Sequence, residues 1–393
     1  MYLKLNSGKI IIKEKSTQFI FLILFISIGF GIFDAIFSIY LESILKNPSF
    51  VGFASALIVM VMFFTYLFLT QIYSKYPTTK VWIYSTFLMA FCLFLLYFFE
   101  NILIISFLAV ISFISIALHY NSSAVILRHS TNLVNIGKIQ GYYYTIRNLG
   151  WFFGPLISSV IVYKFGLLNN FFAIGLFIFI GWLLFLYYNI DIYEEKKKEP
   201  ITFRYIYQNI SDFFRNKELF KLYFIRGSLA VFWSVIYIFT PLYIILNNLD
   251  LSFVGIYLGV AIIPTILLEF QIGKITDSVK IKKLFVVGIL FIIFFMVLAF
   301  IINNIYFSLA AILLSIIGAA FLEPTCETYF FRNVNKFIAD RYYGVYRTSD
   351  GFFSLVTRLF FGFILLFLSI KFVYLFTGIF FIGFLYVANK VVN

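Results

Sequence analysis

Long apolar runs separated by short polar islands dominate this chain. About twelve such runs can be drawn, at approximately 18–42, 50–73, 80–99, 101–125, 140–163, 167–189, 221–246, 252–273, 283–302, 305–330, 341–368 and 372–390. Each is near the roughly 20 apolar residues that a membrane-crossing helix needs. The pattern predicts an all-α membrane protein of about twelve transmembrane helices. The first run is too long for a signal-peptide core and lacks a small-residue cleavage site, so it reads as a retained span.

The polar islands alternate sharply in basicity. If the runs are spans, 26 of the 30 Lys and Arg residues fall on one face. That set runs from Lys4, Lys9, Lys13 and Lys15 through the central Lys196 to Arg226 group to Lys390, whereas Lys46, Lys164 and Lys371 fall on the opposite face. Basic loops stay cytoplasmic during insertion, so a multi-pass plasma-membrane protein with both termini inside is expected. The net charge of +13 therefore points to anionic lipid at the inner leaflet and excludes nucleic acid as the partner.

With 63% apolar and 12% charged residues, the chain is one membrane unit of two halves, with no room for a separate soluble domain. The 56 Phe and 28 Tyr follow a composition also rich in Ile, Asn and Lys, and most must face lipid or neighbouring helices. Cys92 and Cys326, both in apolar runs, form no disulfide framework or metal spacing. No catalytic set, phosphate loop or zinc spacing occurs, so neither an enzyme nor a cofactor is expected.

The longest polar stretch, Asp191 to Glu218, divides six runs from six. Within it Phe203, Ile206, Tyr207, Ile210, Phe213 and Phe214 recur at helical spacing, which predicts an amphipathic helix on the cytoplasmic leaflet. The expected organisation is a six-helix bundle over 1–190, a linker over 191–220 and a second bundle over 221–393. The halves look related at an offset of about 203 residues, which aligns Gly141 with Gly344 and Asn132 with Asn335. Arg147-Asn148-Leu149-Gly150 then lies near Arg347-Thr348-Ser349-Asp350-Gly351. Related halves place a substrate site between them, near the midplane.

Two local motifs add to the six-plus-six topology. Gly273-Lys274-Ile275-Thr276-Asp277, followed by Lys280, Lys282 and Lys283, comes after the eighth run; Gly150-x-x-x-Gly154-Pro155 lies in the fifth. The whole resembles the major facilitator superfamily, whose Gly-x-Leu-x-Asp-(basic) loop motif follows the second span and is often echoed after the eighth. The first-half copy is degraded here: Thr70, Ile72, Ser74 and Lys75 stand where Gly, Leu, Asp and a basic residue would be. The Gly-Pro motif resembles one common in the family's exporters. The resemblance implies transport by alternating access, with the first span lining a central cavity.

Ionisable groups inside spans are the strongest functional signal, because each is costly in hydrocarbon without a cavity or a partner. Asp34 lies on the stripe Ser27, Gly31, Asp34, Ser38, either as a proton or cation site or as a structural carboxyl. Glu323 and Glu327, one turn apart around Pro324, suit a proton or cation site or a gate ion pair with an Arg. His119 shares a stripe with Ser112, Ser115 and Ser122 and is either packed or functional. Arg358, on the stripe Arg347, Gly351, Ser354, needs a counter-charge, for which Asp34 and an anionic solute are the alternatives. Arg147, Glu269, Gly273, Asp277 and Asp350 are expected to form a cytoplasmic gate, and Pro155, Pro241 and Pro264 to bend their spans.

The expected function is secondary active transport of a small organic solute, coupled to protons. Sparse polar stripes favour efflux of amphipathic compounds over a sugar, whose hydroxyls need partners. A sugar or organic-acid symporter or facilitator is the alternative, and a transporter-like receptor or lipid-handling protein is the alternative of another class. The protein is expected to work as a monomer in the lipid bilayer.

Overall fold

The computed structural model describes residues 2–99, 101–129, 136–190, 203–276, 279–334 and 339–391, and among these there is no strand. Ten helical segments are long and apolar enough to cross a membrane. Among the described residues they comprise α1 (Tyr2–Leu45, apolar from Lys15), α2 (Pro48–Lys75), α3 (Thr78–Leu95), α4 (Ile102–His129), α6 (Asn169–Tyr187), the segments Lys217–Leu246 and Leu251–Gly273, α12 (Ile281–Ile301), α13 (Ile305–Asn333) and α15 (Phe372–Asn389). The fifth and eleventh expected spans are the helices α5 (Ile136–Phe165) and α14 (Ala339–Ile364). Both have the length but are interrupted by polar residues, Arg147 and Asn148 in one and Arg347, Asp350 and Arg358 in the other. Their starts lie about 203 residues apart, the offset at which the two halves look related.

Two spans are broken. The seventh consists of α8 (Lys217–Ser234), a π-helical turn (Val235–Phe239) and α9 (Thr240–Leu246). Pro241 has no N–H to continue the α-helical ladder, and Thr240 Oγ1 donates to the Val235 carbonyl at 3.1 Å across the wide turn. The eighth consists of α10 (Leu251–Ala261) and α11 (Ile263–Ile275), parted beside Pro264. Pro155 and Pro324, by contrast, sit inside continuous helices. The polar linker contributes α7 (Phe203–Arg215). Phe213 is fully buried against Tyr223 and Tyr342, with ring centroids 6.2 and 5.9 Å away. This end of the amphipathic helix therefore docks on α8 and α14.

The chain forms two compact units, one of residues 1–36, 64–201 and 251–259, the other of 37–63, 202–250 and 260–393. In the first, α3 packs on α4 and α6. Trp82 is its hub: the indole stacks on Phe185 at 4.0 Å and its Nε1 donates to Ser123 Oγ at 2.8 Å. Helices α1 and α5 meet backbone to backbone. A Cβ on Gly150 would stand 2.4 Å from Ser27 Cβ, and one on Gly154 2.5 Å from the Ile28 carbonyl. The Gly150-x-x-x-Gly154 spacing is thus a packing seam, in which small residues let two helices touch.

The second unit is built on α12 and α13, which cross at Gly288 and Gly318, with α8, α14 and α15 packed around them. Here α2 lies along α14: a Cβ on Gly52 would stand 2.7 Å from Gly362 Cα. The first unit holds the counterpart, since a Cβ on Gly255 of α10 would stand 2.3 Å from the Pro155 carbonyl and 2.9 Å from Ser159 Cβ in α5. An offset of about 203 residues maps Gly52 onto Gly255 and Ser159 onto Gly362. Each unit therefore holds the same crossing, at the offset where the two halves look related.

Candidate functional site

Asn216 caps α8, its Oδ1 accepting from the Glu218 and Leu219 amides at 3.0 and 3.2 Å. That start fixes which way the helix faces. From Arg226 to Tyr237 only Arg226, Ala230, Trp233 and Tyr237 are half-exposed, at i, i+4, i+7 and i+11 on one face. Glu323 and Glu327 on α13 are likewise half-exposed, as are Tyr343, Arg347, Asp350, Ser354 and Arg358 at helical spacing on α14.

On this face four charges form one network. Arg226 grips Asp350 through two bonds, Nε to Oδ1 at 2.9 Å and Nη2 to Oδ2 at 3.2 Å. Arg347 Nη2 reaches Asp350 Oδ2 at 3.2 Å. Glu327 Oε1 lies 3.8 Å from both Arg226 Nη1 and Arg347 Nη1, and the Tyr343 hydroxyl donates to its other oxygen at 3.4 Å. Side-chain exposure is 14% for Arg226, 23% for Glu327, 29% for Asp350 and 41% for Arg347. Glu323 stands one turn nearer the membrane centre, about 15 Å from the Asn333 end of α13 at 1.5 Å per residue. Its Oε1 accepts from Trp233 Nε1 at 2.7 Å. Charges this numerous are too costly to place against hydrocarbon, so the face shared by α8, α13 and α14 is turned away from lipid, with its charges paired to one another.

The gate set divides. Asp350 belongs to this network, with Arg226 and Arg347 as partners. Arg147 lies in the first unit with its guanidinium over Tyr144 at 4.9 Å and Trp151 at 5.5 Å. Glu269 and Gly273 lie in α11, and Asp277 falls outside the described residues. Arg358 Nη1 donates to the Ser55 carbonyl of α2 at 3.1 Å.

In the first unit, Asp34 is the only half-exposed residue of α1 between Ile26 and Tyr40. Ser27 and Ser38 on its stripe are buried, and Gly31 meets Pro155 and Gly150 in the seam with α5, so that stripe is mainly packing. Asp34 and Arg147 both lie near half-buried Tyr120, and Phe30 stacks on the Tyr120 ring at 4.9 Å. His119 is 2% exposed: its Nδ1 lies 2.7 Å from Thr86 Oγ1 and its ring 5.3 Å from Trp82. The serines of its stripe are buried too, with Ser112 and Ser122 donating to carbonyls four residues back at 2.8 and 2.7 Å. These hydroxyls satisfy themselves on their own helix.

Arg226 is the site residue that the charge pattern hides. It falls in the most basic stretch of the chain, where island counting assigns it to the inner surface. Only its distance into a capped helix places it on the polar face. No group of three or more His, Cys, Asp or Glu side chains that could hold a metal occurs among the described residues.

A profile described as Major Facilitator Superfamily matches residues 19–264. An uncharacterized MFS-type transporter of Methanocaldococcus jannaschii is 25% identical over 249 residues, which is 62% of this chain and 64% of that protein. Among solved structures, a POT family transporter in complex with 5-aminolevulinic acid superposes with a TM-score of 0.81 at 11% identity, over 96% of each chain. The nucleoside transporter NupG superposes with a TM-score of 0.78 at 13% identity, over 96% of this chain and 100% of that one. At such identities the structural likeness concerns the fold.

Proposed function

Because the chain belongs to the Major Facilitator Superfamily, we propose that it is a proton-coupled secondary transporter that moves a small amphipathic organic solute by alternating access, preferentially outward. Membership makes it a multi-pass membrane transporter and not an enzyme; coupling, solute and direction are the added reading. The observation that carries it is the network of Arg226, Glu327, Arg347 and Asp350 shared by the spanning helices α8, α13 and α14.

Two arginines and two carboxylates balance only while both carboxylates are ionised. Asp350 has two hydrogen bonds from Arg226 and one contact from Arg347, so its charge is well held. Glu327 lies 3.8 Å from each arginine and is the looser member. Protonating Glu327 would leave the arginines with one carboxylate between them. A group whose protonation rearranges a network spanning α8, α13 and α14 is suited to linking proton binding to helix movement. Asp34, with Arg147 and Tyr120 nearby, is a second candidate in the first unit, and Arg358 a positively charged position on the α14 stripe. Buried, hydroxyl-bonded His119 supports packing. Glu269, Gly273 and Asp277 remain proposed as the gate at the cytoplasmic end. The two bundles, divided at the 191–220 linker, would rock about the site, with both termini inside and the plasma membrane as the location.

The half-exposed rings of Trp233, Tyr237 and Tyr343 lie beside the charges on this face, and such a mixture of aromatic surface and charge favours an amphipathic solute over a polyhydroxylated one. The test is reconstitution into liposomes enclosing a pH-sensitive dye, followed by a panel of lipophilic cations, sugars and organic acids. Proton movement triggered by a solute and lost in Glu327→Gln supports the reading. Solute flux without proton movement makes the protein a facilitator, and no flux of either kind points to a receptor or lipid-handling role.

A further inference from the structure

The network leaves one carboxylate over. Arg226 and Arg347 are matched by Glu327 and Asp350, but among the described residues no Lys, Arg or His lies within ion-pair distance of Glu323. It accepts a hydrogen bond from the Trp233 indole N–H at 2.7 Å, which orients one oxygen and supplies no countercharge. A carboxylate at membrane depth without a cation is costly unless a charge arrives to match it.

The surroundings say what kind of charge suits it. Trp233 stacks on Tyr237 with centroids 5.5 Å apart and planes inclined by 24°. Tyr237 lies in the π-helical turn Val235–Phe239. Residues four apart share one face of a helix, so the two rings overlap along the half-exposed stripe. The result is a continuous, half-exposed aromatic surface beside a carboxylate. An inorganic cation would need several oxygen ligands, and one carboxylate does not supply them. An organic cation needs a negative charge and aromatic faces, both of which are here.

We infer that Trp233, Tyr237 and Glu323 form a recognition subsite for the ammonium or phosphonium group of an organic cation, set one turn beyond the Arg226–Glu327–Arg347–Asp350 network. This rests on the transporter reading and gives its solute a charge. The cationic group sits against Glu323 and the aromatic pair, and its apolar substituents lie along the Trp233–Tyr237 surface. The solute thus supplies the charge that the neighbouring network does not spare.

Equilibrium binding to purified protein in nanodiscs, with no ion gradient, tests the subsite apart from transport. The probes are radiolabelled tetraphenylphosphonium, benzyltrimethylammonium and phenethylammonium, with neutral triphenylphosphine oxide as competitor. At least one cation should bind, and triphenylphosphine oxide should compete poorly. Glu323→Gln and Trp233→Leu should each weaken binding by about tenfold or more, and Trp233→Phe, which keeps a ring but loses the N–H, by less. Glu323→Asp should retain part of the affinity, and thermal stability of each variant shows whether it is folded. Equal binding by Glu323→Gln or Trp233→Leu, equal competition by the neutral compound, or no cation bound below about 1 mM overturns the subsite. Proton-coupled flux of an uncharged or anionic solute, unaffected by Trp233→Leu, would overturn it while leaving proton-coupled transport standing. Binding that follows the expected order without proton movement would uphold the subsite and sink the coupling.

Discussion

Breaking the Arg226–Asp350 pair should cost stability in a way that identifies the two residues as one unit. Arg226→Gln removes both guanidinium bonds, at 2.9 and 3.2 Å. Two unit charges about 4 Å apart attract by about 4 kcal/mol at an effective dielectric of about 20. Stripping one partner from a fully buried pair costs about 3–5 kcal/mol, because the other is left uncompensated. Here Asp350 keeps Arg347 at 3.2 Å and is 29% exposed, so the expected cost falls below that range, to about 2 kcal/mol. Asp350→Asn should cost a similar amount, since it leaves two arginines facing Glu327 alone. The double variant should then be less damaged than the sum of the singles, with a coupling energy of about 2 kcal/mol. Denaturant titration of the four proteins in detergent micelles closes the cycle. Additivity within about 0.5 kcal/mol would refute the reasoning, because it would mean that the contact contributes nothing beyond each residue's own hydration.

Further outcomes follow from single contacts. Gly154→Leu should lower the midpoint of thermal unfolding, because even its Cβ would stand 2.5 Å from the Ile28 carbonyl; overpacking of this kind costs about 1–3 kcal/mol. Gly273→Ala, where a Cβ meets nothing within 4 Å, is the matched control and should unfold near the wild-type temperature. His119→Leu should reduce stability by about 1–3 kcal/mol by leaving the Thr86 hydroxyl without its partner, while solute-driven flux per folded molecule stays unchanged. Loss of flux at wild-type stability would instead give His119 a part in transport. Gly52→Leu and Gly255→Leu should act alike, each slowing transport, because the repeat places them at the same crossing. Opposite effects in a flux assay would argue against equivalence.

The spans were readable in advance because hydrocarbon imposes length and apolarity on every crossing helix. The two expected spans outside the ten, α5 and α14, carry polar residues along their length, Arg147 and Asn148 in one and Arg347, Asp350 and Arg358 in the other. Polar stripes were less dependable. The α1 stripe is largely a seam, since Ser27 and Gly31 are small enough to admit α5. The α4 stripe vanishes because serine hydroxyls bond back to their own helix. Glu323 and Glu327 stood out because nothing in an apolar run explains two carboxylates one turn apart. Arg226 did not, since its neighbours in sequence are basic and its partners lie more than a hundred residues away. The π-helical turn had only Pro241 as its sign, and a proline marks a break without specifying the turn around it.

Solute counterflow alongside proton movement in Glu327→Gln liposomes tests most directly whether the charge network couples the two. With Glu327 held neutral, solute exchange across the membrane should persist, while solute-triggered acidification of the dye-loaded interior should vanish. Proton movement at the wild-type rate in Glu327→Gln would contradict the account, because the proton would then travel by a route that does not pass through this network.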